Sequence, residues 1–204
     1  MKKKIKFVTS NDGKFEEVAQ WLHELDPTIE LEKLTLDVPE IQSLDIEEVA
    51  LQKADVAWHV VQEPLLIDDG GIYLEQFNNF PGPLTKYVHQ GLGFDGFWSL
   101  AKQDPRVYFL NVLVYRDSRG YQLFSGKCSG VVIEPSKELI EGHNQLPFTK
   151  LLVPEGATRS LAELRGTDEE KKYHHRYHSL RKLTDWLKAK EKFEASNTTI
   201  SGIS

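Results

Sequence analysis

One cysteine, Cys128, occurs in 204 residues, which excludes an internal disulfide framework and fits a reducing compartment. No apolar run approaches the ~18 residues of a membrane-spanning helix, and the apolar stretch behind Lys2-Lys3-Lys4 is too short for a signal peptide. Basic side chains are outnumbered, 25 Lys and Arg against 31 Asp and Glu, for a net charge of −6. A general footprint for nucleic acid or an anionic membrane is therefore missing, and a phosphate ligand must be met locally. Three signatures are missing as well: there is no GxxxxGK[ST] loop, no HExxH and no GxSxG. With the lone cysteine, that argues against a P-loop, a zinc site and a serine nucleophile. What remains is a soluble, cytoplasmic protein whose 40% hydrophobic residues can bury a core without a metal or disulfide staple.

The chain opens as an α/β unit. Residues Ile5 to Thr9 alternate, Ser10-Asn11-Asp12-Gly13 makes a turn, and Phe15, Val18, Ala19, Leu22 and Leu25 then recur at helical spacing. Glu30 to Leu36 reads as a strand, Ile46 to Val61 as a helix that Pro64 stops, and Leu65 to Ile67 as a short buried strand emptying into a tight turn at Asp68-Asp69-Gly70-Gly71. A helix through Val88 and another over Phe94 to Ala101 follow the Pro/Gly segment Phe80-Pro81-Gly82-Pro83. Arg106 to Arg116 and Tyr121 to Glu134 read as a long hairpin, which makes the sheet mixed. Residues 136–160 read as a functional loop, Ser160 to Leu164 as a short ordered piece, and Asp168 to Lys190 as a final helix. One domain over 1–190 and a disordered polar tail over 191–204 are expected.

Two groups of residues can carry chemistry. The turn Thr9-Ser10-Asn11-Asp12-Gly13-Lys14 joins a strand to a helix N-terminus, where free N–H groups favour an anion; the same residues also make an ordinary Asx turn and N-cap. Glu40, Asp68, Asp69 and conceivably Asp37 could hold a hard cation, since magnesium needs only a few carboxylates besides waters and phosphate oxygens; Asp-Asp-Gly-Gly is equally the composition of a plain turn. Successive strand residues point to opposite faces, so one acid can face a metal while its neighbour orients water. Lys53 sits among apolar neighbours, where a lysine either snorkels to solvent or answers an anion. Lys171, Lys172, His174, His175 and Arg176 form a compact basic cluster that is otherwise a solvated helix face.

These segments together resemble the inosine triphosphate pyrophosphatase (Ham1-like) family from about residue 5 to 187. Phe7-Val8-Thr9-Ser10-Asn11-Asp12-Gly13-Lys14-Phe15-Glu16-Glu17-Val18 is similar to its F-V-T-x-N-x-x-K-x-x-E-V, and Leu36-Asp37-Val38-Pro39-Glu40-Ile41-Gln42 to its L-D-L-P-E-x-Q. Asp68-Asp69-Gly70-Gly71-Ile72 corresponds to its E-D-S/T-G-L and Phe80-Pro81-Gly82-Pro83 to its L-P-G-P/V. The resemblance implies a long twisted mixed β-sheet flanked by helices, two lobes around a cleft, a homodimer, and Mg2+-dependent hydrolysis of ITP, dITP and XTP to the monophosphate and pyrophosphate. It implies that Thr9, Ser10, Asn11, Lys14 and Lys53 hold the triphosphate. Glu40, Asp68 and Asp69 then bind magnesium, with Asp69 catalytic.

The base-reading end departs from the family's G-F-G-[WY]-D-P-x-F-x-P-x-G. Here Gln145-Leu146-Pro147-Phe148-Thr149-Lys150 puts Phe148 where a stacking aromatic belongs and Thr149 where the family has aspartate. Downstream, the family's lysine and S-H-R correspond to Lys171 or Lys172 and to His174-His175-Arg176, with histidine in place of serine. A carboxylate acceptor has become a hydroxyl, so two alternatives stand beside the family's activity: the same hydrolysis with a shifted base, and a silent nucleotide-binding protein of the same fold.

Overall fold

A computed structural model describes residues 2–78, 80–137 and 147–200. Its strands are β1 (Lys3–Val8), β2 (Ile29–Leu34), β3 (Leu65–Leu74), β4 (Pro81–Gly82), β5 (Arg106–Asp117), β6 (Gly120–Val132) and β7 (Leu152–Pro154). Its helices are α1 (Asp12–Leu25), α2 (Ile46–Val61), α3 (Thr85–Ala101), α4 (Leu161–Leu164), α5 (Glu170–Tyr173) and α6 (His175–Ile200). The sheet order is β2-β1-β3-β5-β6-β7 with β4 on β3; β1 pairs in parallel with β2 and β3, and the other pairings are antiparallel. Among the described residues no helix is long and apolar enough to cross a membrane.

Local chemistry sets the boundaries. Asp45 caps α2 by accepting from Glu47 N and Glu48 N, and the helix ends on Gln62 in the left-handed region (φ 53°) two residues before Pro64. Ser160 and Glu163 form a reciprocal capping box on α4. Gly93, at φ 62°, kinks α3 between the two helical segments expected there. Cys128 is strand filler on β6: burial pushes its thiol up to about 12, which leaves it inert.

Three apolar clusters build two lobes. At one end of the sheet, Ile5, Phe7, Leu66 and Leu113 pack under α1 and α6, and on the opposite face Ile67, Val112 and Val114 pack under Ala50, Ala54 and Ala57 of α2. At the other end, Ile72, Leu74, Phe97, Val107, Phe148 and Leu151 form the third cluster. Helix α6 lies so close to β6 that a Cβ on Gly126 would stand 1.9 Å from the His175 carbonyl oxygen. Gly126→Ala is expected to cost about 2–3 kcal/mol of stability, read as a lowered urea midpoint, because backbone would have to yield.

Three expectations change. Asp68-Asp69-Gly70-Gly71 is no tight turn after a strand: β3 runs straight through it, carried by pairing with Val107 to Arg116 of β5. The last helix is two, because the backbone at His174 is extended (ψ 117°) and separates α5 from α6. Helix α6 then continues to Ile200, so most of the stretch expected as a disordered tail is helical, and 201–204 lie outside the described residues. Of the functional loop at 136–160, residues 138–146 lie outside them too.

Candidate functional site

The sheet forks along one edge of β3. On that edge β3 pairs with β1 up to Ile67 opposite Val8, and with β4 from Ile72 opposite Gly82. Asp68 to Gly71 are left paired with β5 alone, at the carboxyl end of β1, where a crevice between diverging neighbours is the usual place for a ligand. The turn after β1 and the N-terminus of α1 border this gap. Asn11 caps α1 by accepting from Lys14 N at 2.9 Å, and Thr9 Oγ1 accepts from Asn11 N at 3.1 Å, so the capping reading of this turn holds while Lys14 reaches into the gap. Ser10 is exposed beside them.

Strand alternation sends Asp68 and Asp69 to opposite faces, and each meets a different set of charges. On the α2 side, Lys53 Nζ donates to Asp69 Oδ2 at 3.0 Å and to Glu40 Oε1 at 2.7 Å, while Asp69 Oδ1 accepts from Gly70 N at 3.0 Å. Burial alone would lower the Lys53 pKa, but Asp69 and Glu40 outweigh it and the value rises, so the ammonium is held charged. Partial burial pushes Glu40 up, and the hydrogen bond and charge of Lys53, with the charges of Lys86 and Lys14, pull it below its ordinary value. Two carboxylates thus converge on one cation, with three lysines around them.

On the other face Asp68 is fully enclosed. Its Oδ1 is 3.0 Å from Lys14 Nζ, its Oδ2 accepts from Asn111 Nδ2 and from Arg176 Nε, both at 2.8 Å, and its carbonyl oxygen accepts from Lys14 Nζ at 3.1 Å. Arg176 also donates to Glu17, and Ser179 Oγ donates to Asn111 Oδ1. Burial pushes Asp68 up, but the charges of Arg176 and Lys14 and their hydrogen bonds win, holding the carboxyl well below the usual carboxylate range. With its oxygens committed to two cations and an amide, Asp68 is not brought into the group formed by Glu40 and Asp69. Asp37 is exposed.

The residues expected to read a base are mostly enclosed. Phe148 is 2% exposed and sits against Phe97 at 4.5 Å, with His89 and Phe94 edge-on, so its ring faces are already covered. Thr149 is half-buried beside it. His174 and His175 are stacked 4.5 Å apart, and the far face of His175 lies on Phe109 at 4.8 Å, which leaves only ring edges available. Burial pushes His174 down to about 4, so it is neutral at pH 7; its Nδ1 accepts from Arg176 N, which places its proton on Nε2, 3.5 Å from Glu17. His175 Nδ1 is buried without a hydrogen-bond partner among the described residues. Lys171 pairs with Glu24 and Lys172 with the Tyr173 hydroxyl, so neither lysine reaches the gap.

Among the described residues, one trio of His and acidic side chains, Glu17, Glu170 and His174, has ligand atoms within 4.8 Å of one another. Arg176 already donates to Glu17 there, so that acid has a cation. The sequence offered no signal for Asn111. Glu17 and Lys86 had weak ones: Glu17 lies three residues beyond Lys14 on the same helical face, and Lys86 in the first turn after Pro81-Gly82-Pro83.

The sequence pattern of the Ham1 family matches residues 5–186. A dITP/XTP pyrophosphatase from Saccharolobus solfataricus is 32% identical over 91% of this chain and 94% of its own length, and one from Pyrococcus horikoshii is 34% identical over 93% and 100%. The solved Ham1 protein of Coxiella burnetii superposes with a TM-score of 0.73 over 93% of this chain and 100% of its own, at 20% identity, which is a likeness of fold.

Proposed function

Because the chain belongs to the Ham1 family, we propose that it hydrolyses noncanonical purine nucleoside triphosphates (ITP, dITP and XTP) to the nucleoside monophosphate and pyrophosphate. The observation that carries this reading is the convergence of Glu40 and Asp69 on one cation at the fork of the sheet. Two hard carboxylates with open solvent beside Glu40 suit a divalent ion that takes its other oxygens from water and phosphate, and magnesium is the ion proposed. Such an ion would neutralise charge on the phosphate oxygens.

The chain's own residues do the rest. Lys14, Lys53 and Lys86 gather the phosphate chain, and the N-terminus of α1 with Thr9 and Ser10 adds donors. Asp69, fixed by Gly70 N–H and Lys53, orients water for attack on the α-phosphorus and takes its proton as the bond to the bridging oxygen breaks and pyrophosphate leaves. Asp68 works at one remove: it is held by Arg176 and Asn111, and in turn holds Lys14.

A second reading keeps this hydrolysis and changes the base, and the enclosed Phe148 with His174 in the serine position favours it. A panel of ITP, XTP, dITP, GTP, ATP, dUTP and CTP decides. Pyrophosphate confined to the first three supports the principal reading, another substrate supports the second, and release from none would leave a silent binder. Chelation is expected to abolish turnover and magnesium to restore it; activity that survives EDTA would remove the ion from the reaction. The proposal extends to a cytoplasmic homodimer, and sedimentation checks the oligomeric state.

A further inference from the structure

One buried group beside the gap is unused by the chemistry above. Tyr73 is 3% exposed, yet its hydroxyl has no hydrogen-bond partner among the described residues, an unusual state for a buried phenol. It projects from the same face of β3 as Asp69, two alternations further along the strand. Its ring is clamped: it stacks on Tyr108 at 4.7 Å with an interplanar angle of 3°, and Lys127 Nζ lies 3.8 Å over the Tyr108 ring. The oxygen therefore has a fixed position and, among the described residues, no group to bond to.

We propose that the Tyr73 hydroxyl is a substrate contact that donates a hydrogen bond to a phosphate oxygen of the triphosphate, in the part that leaves as pyrophosphate. The inference rests on the hydrolytic reading of the site and adds a contact to it. Burial first, then the charges of Tyr108, Asp69 and Asp45, push the phenol above its ordinary value, so the group is a protonated donor at neutral pH. Asp69 holds Lys53 of α2, so the hydroxyl projects on the face of the sheet that carries this lysine. A donor on a face where lysines collect anionic oxygens is complementary to phosphate. Clamped in advance by stacking, it loses little freedom on binding.

Tyr73→Phe removes the oxygen alone. Because the hydroxyl is unpaired in the free protein, the variant is expected to melt no lower than the wild type and to raise both KM for ITP and the dissociation constant for inorganic pyrophosphate, each roughly tenfold. Tyr108→Phe, which keeps the stacked ring and removes only the neighbouring hydroxyl, is expected to leave pyrophosphate affinity unchanged. Calorimetry with inorganic pyrophosphate and magnesium separates this inference from the reading beneath it. A wild type that releases no pyrophosphate from any triphosphate sinks the hydrolytic reading. Equal pyrophosphate affinity of wild type and Tyr73→Phe, or no pyrophosphate binding by the wild type, overturns the role of the hydroxyl, as does a Tyr73→Phe that loses stability while keeping wild-type affinity.

Discussion

Asp69→Asn is expected to lower kcat for ITP by roughly 10³-fold while leaving the fold intact. Gly70 N–H and Lys53 Nζ meet different oxygens of the carboxylate, so the single amide oxygen can accept from one of them and not both, while Lys53 retains Glu40 as its ionised partner. What disappears is the second negative charge at the point where the two carboxylates converge, and with it an acceptor for the proton of water. Stability should change by about 1 kcal/mol, the worth of one altered hydrogen bond. Pyrophosphate release measured beside thermal unfolding separates the two effects. A variant that turns over at the wild-type rate would remove Asp69 from the chemistry.

Arg176→Met is expected to act the other way, on the fold before the reaction. Arg176 is buried and joins Asp68 to Glu17, so removing it leaves the enclosed Glu17 without its guanidinium and Asp68 with Lys14 as its one remaining cation. Breaking a buried pair in this manner costs about 3–5 kcal/mol, or a midpoint lower by about 10 °C for a chain of this size. The pH dependence identifies the cause. Asp68 is depressed in the folded protein, so the stability it contributes is fully present above the unfolded carboxylate value of about 4 and is lost as pH falls below that towards the folded value. The deficit of the variant should therefore be largest near neutral pH and shrink below about pH 4, where protonated carboxyls no longer need the guanidinium. Urea midpoints from pH 3 to 8 measure it; a deficit independent of pH would assign the loss to packing alone.

The sequence disclosed the parts of this molecule that are written locally. The helical spacing of Val49, Ala50, Ala54 and Ala57 and the stop at Pro64 place α2 correctly, and the resemblance to a known family places Glu40, Lys53 and Asp69 together. Alternation along a strand foretold that Asp68 and Asp69 would point to opposite faces, although not that Arg176, 108 residues away, would claim Asp68. What was hidden depends on distant partners. Asp-Asp-Gly-Gly has the composition of a turn and stays extended because β5 holds it from about forty residues downstream. The break at His174 interrupts an otherwise helical pattern where the next helix must pass against Gly126. Phe148 was placed by motif register, and burial shows its ring faces spent on Phe97, Phe94 and His89.

The forked edge of β3 also decides how the two halves can move. Strands β3, β5 and β6 run unbroken from one half to the other, with β3 laddered to β5 from Leu65 to Leu74 and β5 to β6 from Arg106 to Asp117. Among the described residues these three strands join the halves as continuous ladders, and ribbons of that kind do not let two plates swing on a pin. Any closing of the mouth has to be taken up as extra twist and bend spread along three continuous ribbons, which behave as a leaf spring. A joint of that kind stores the work of any closing and returns it on opening.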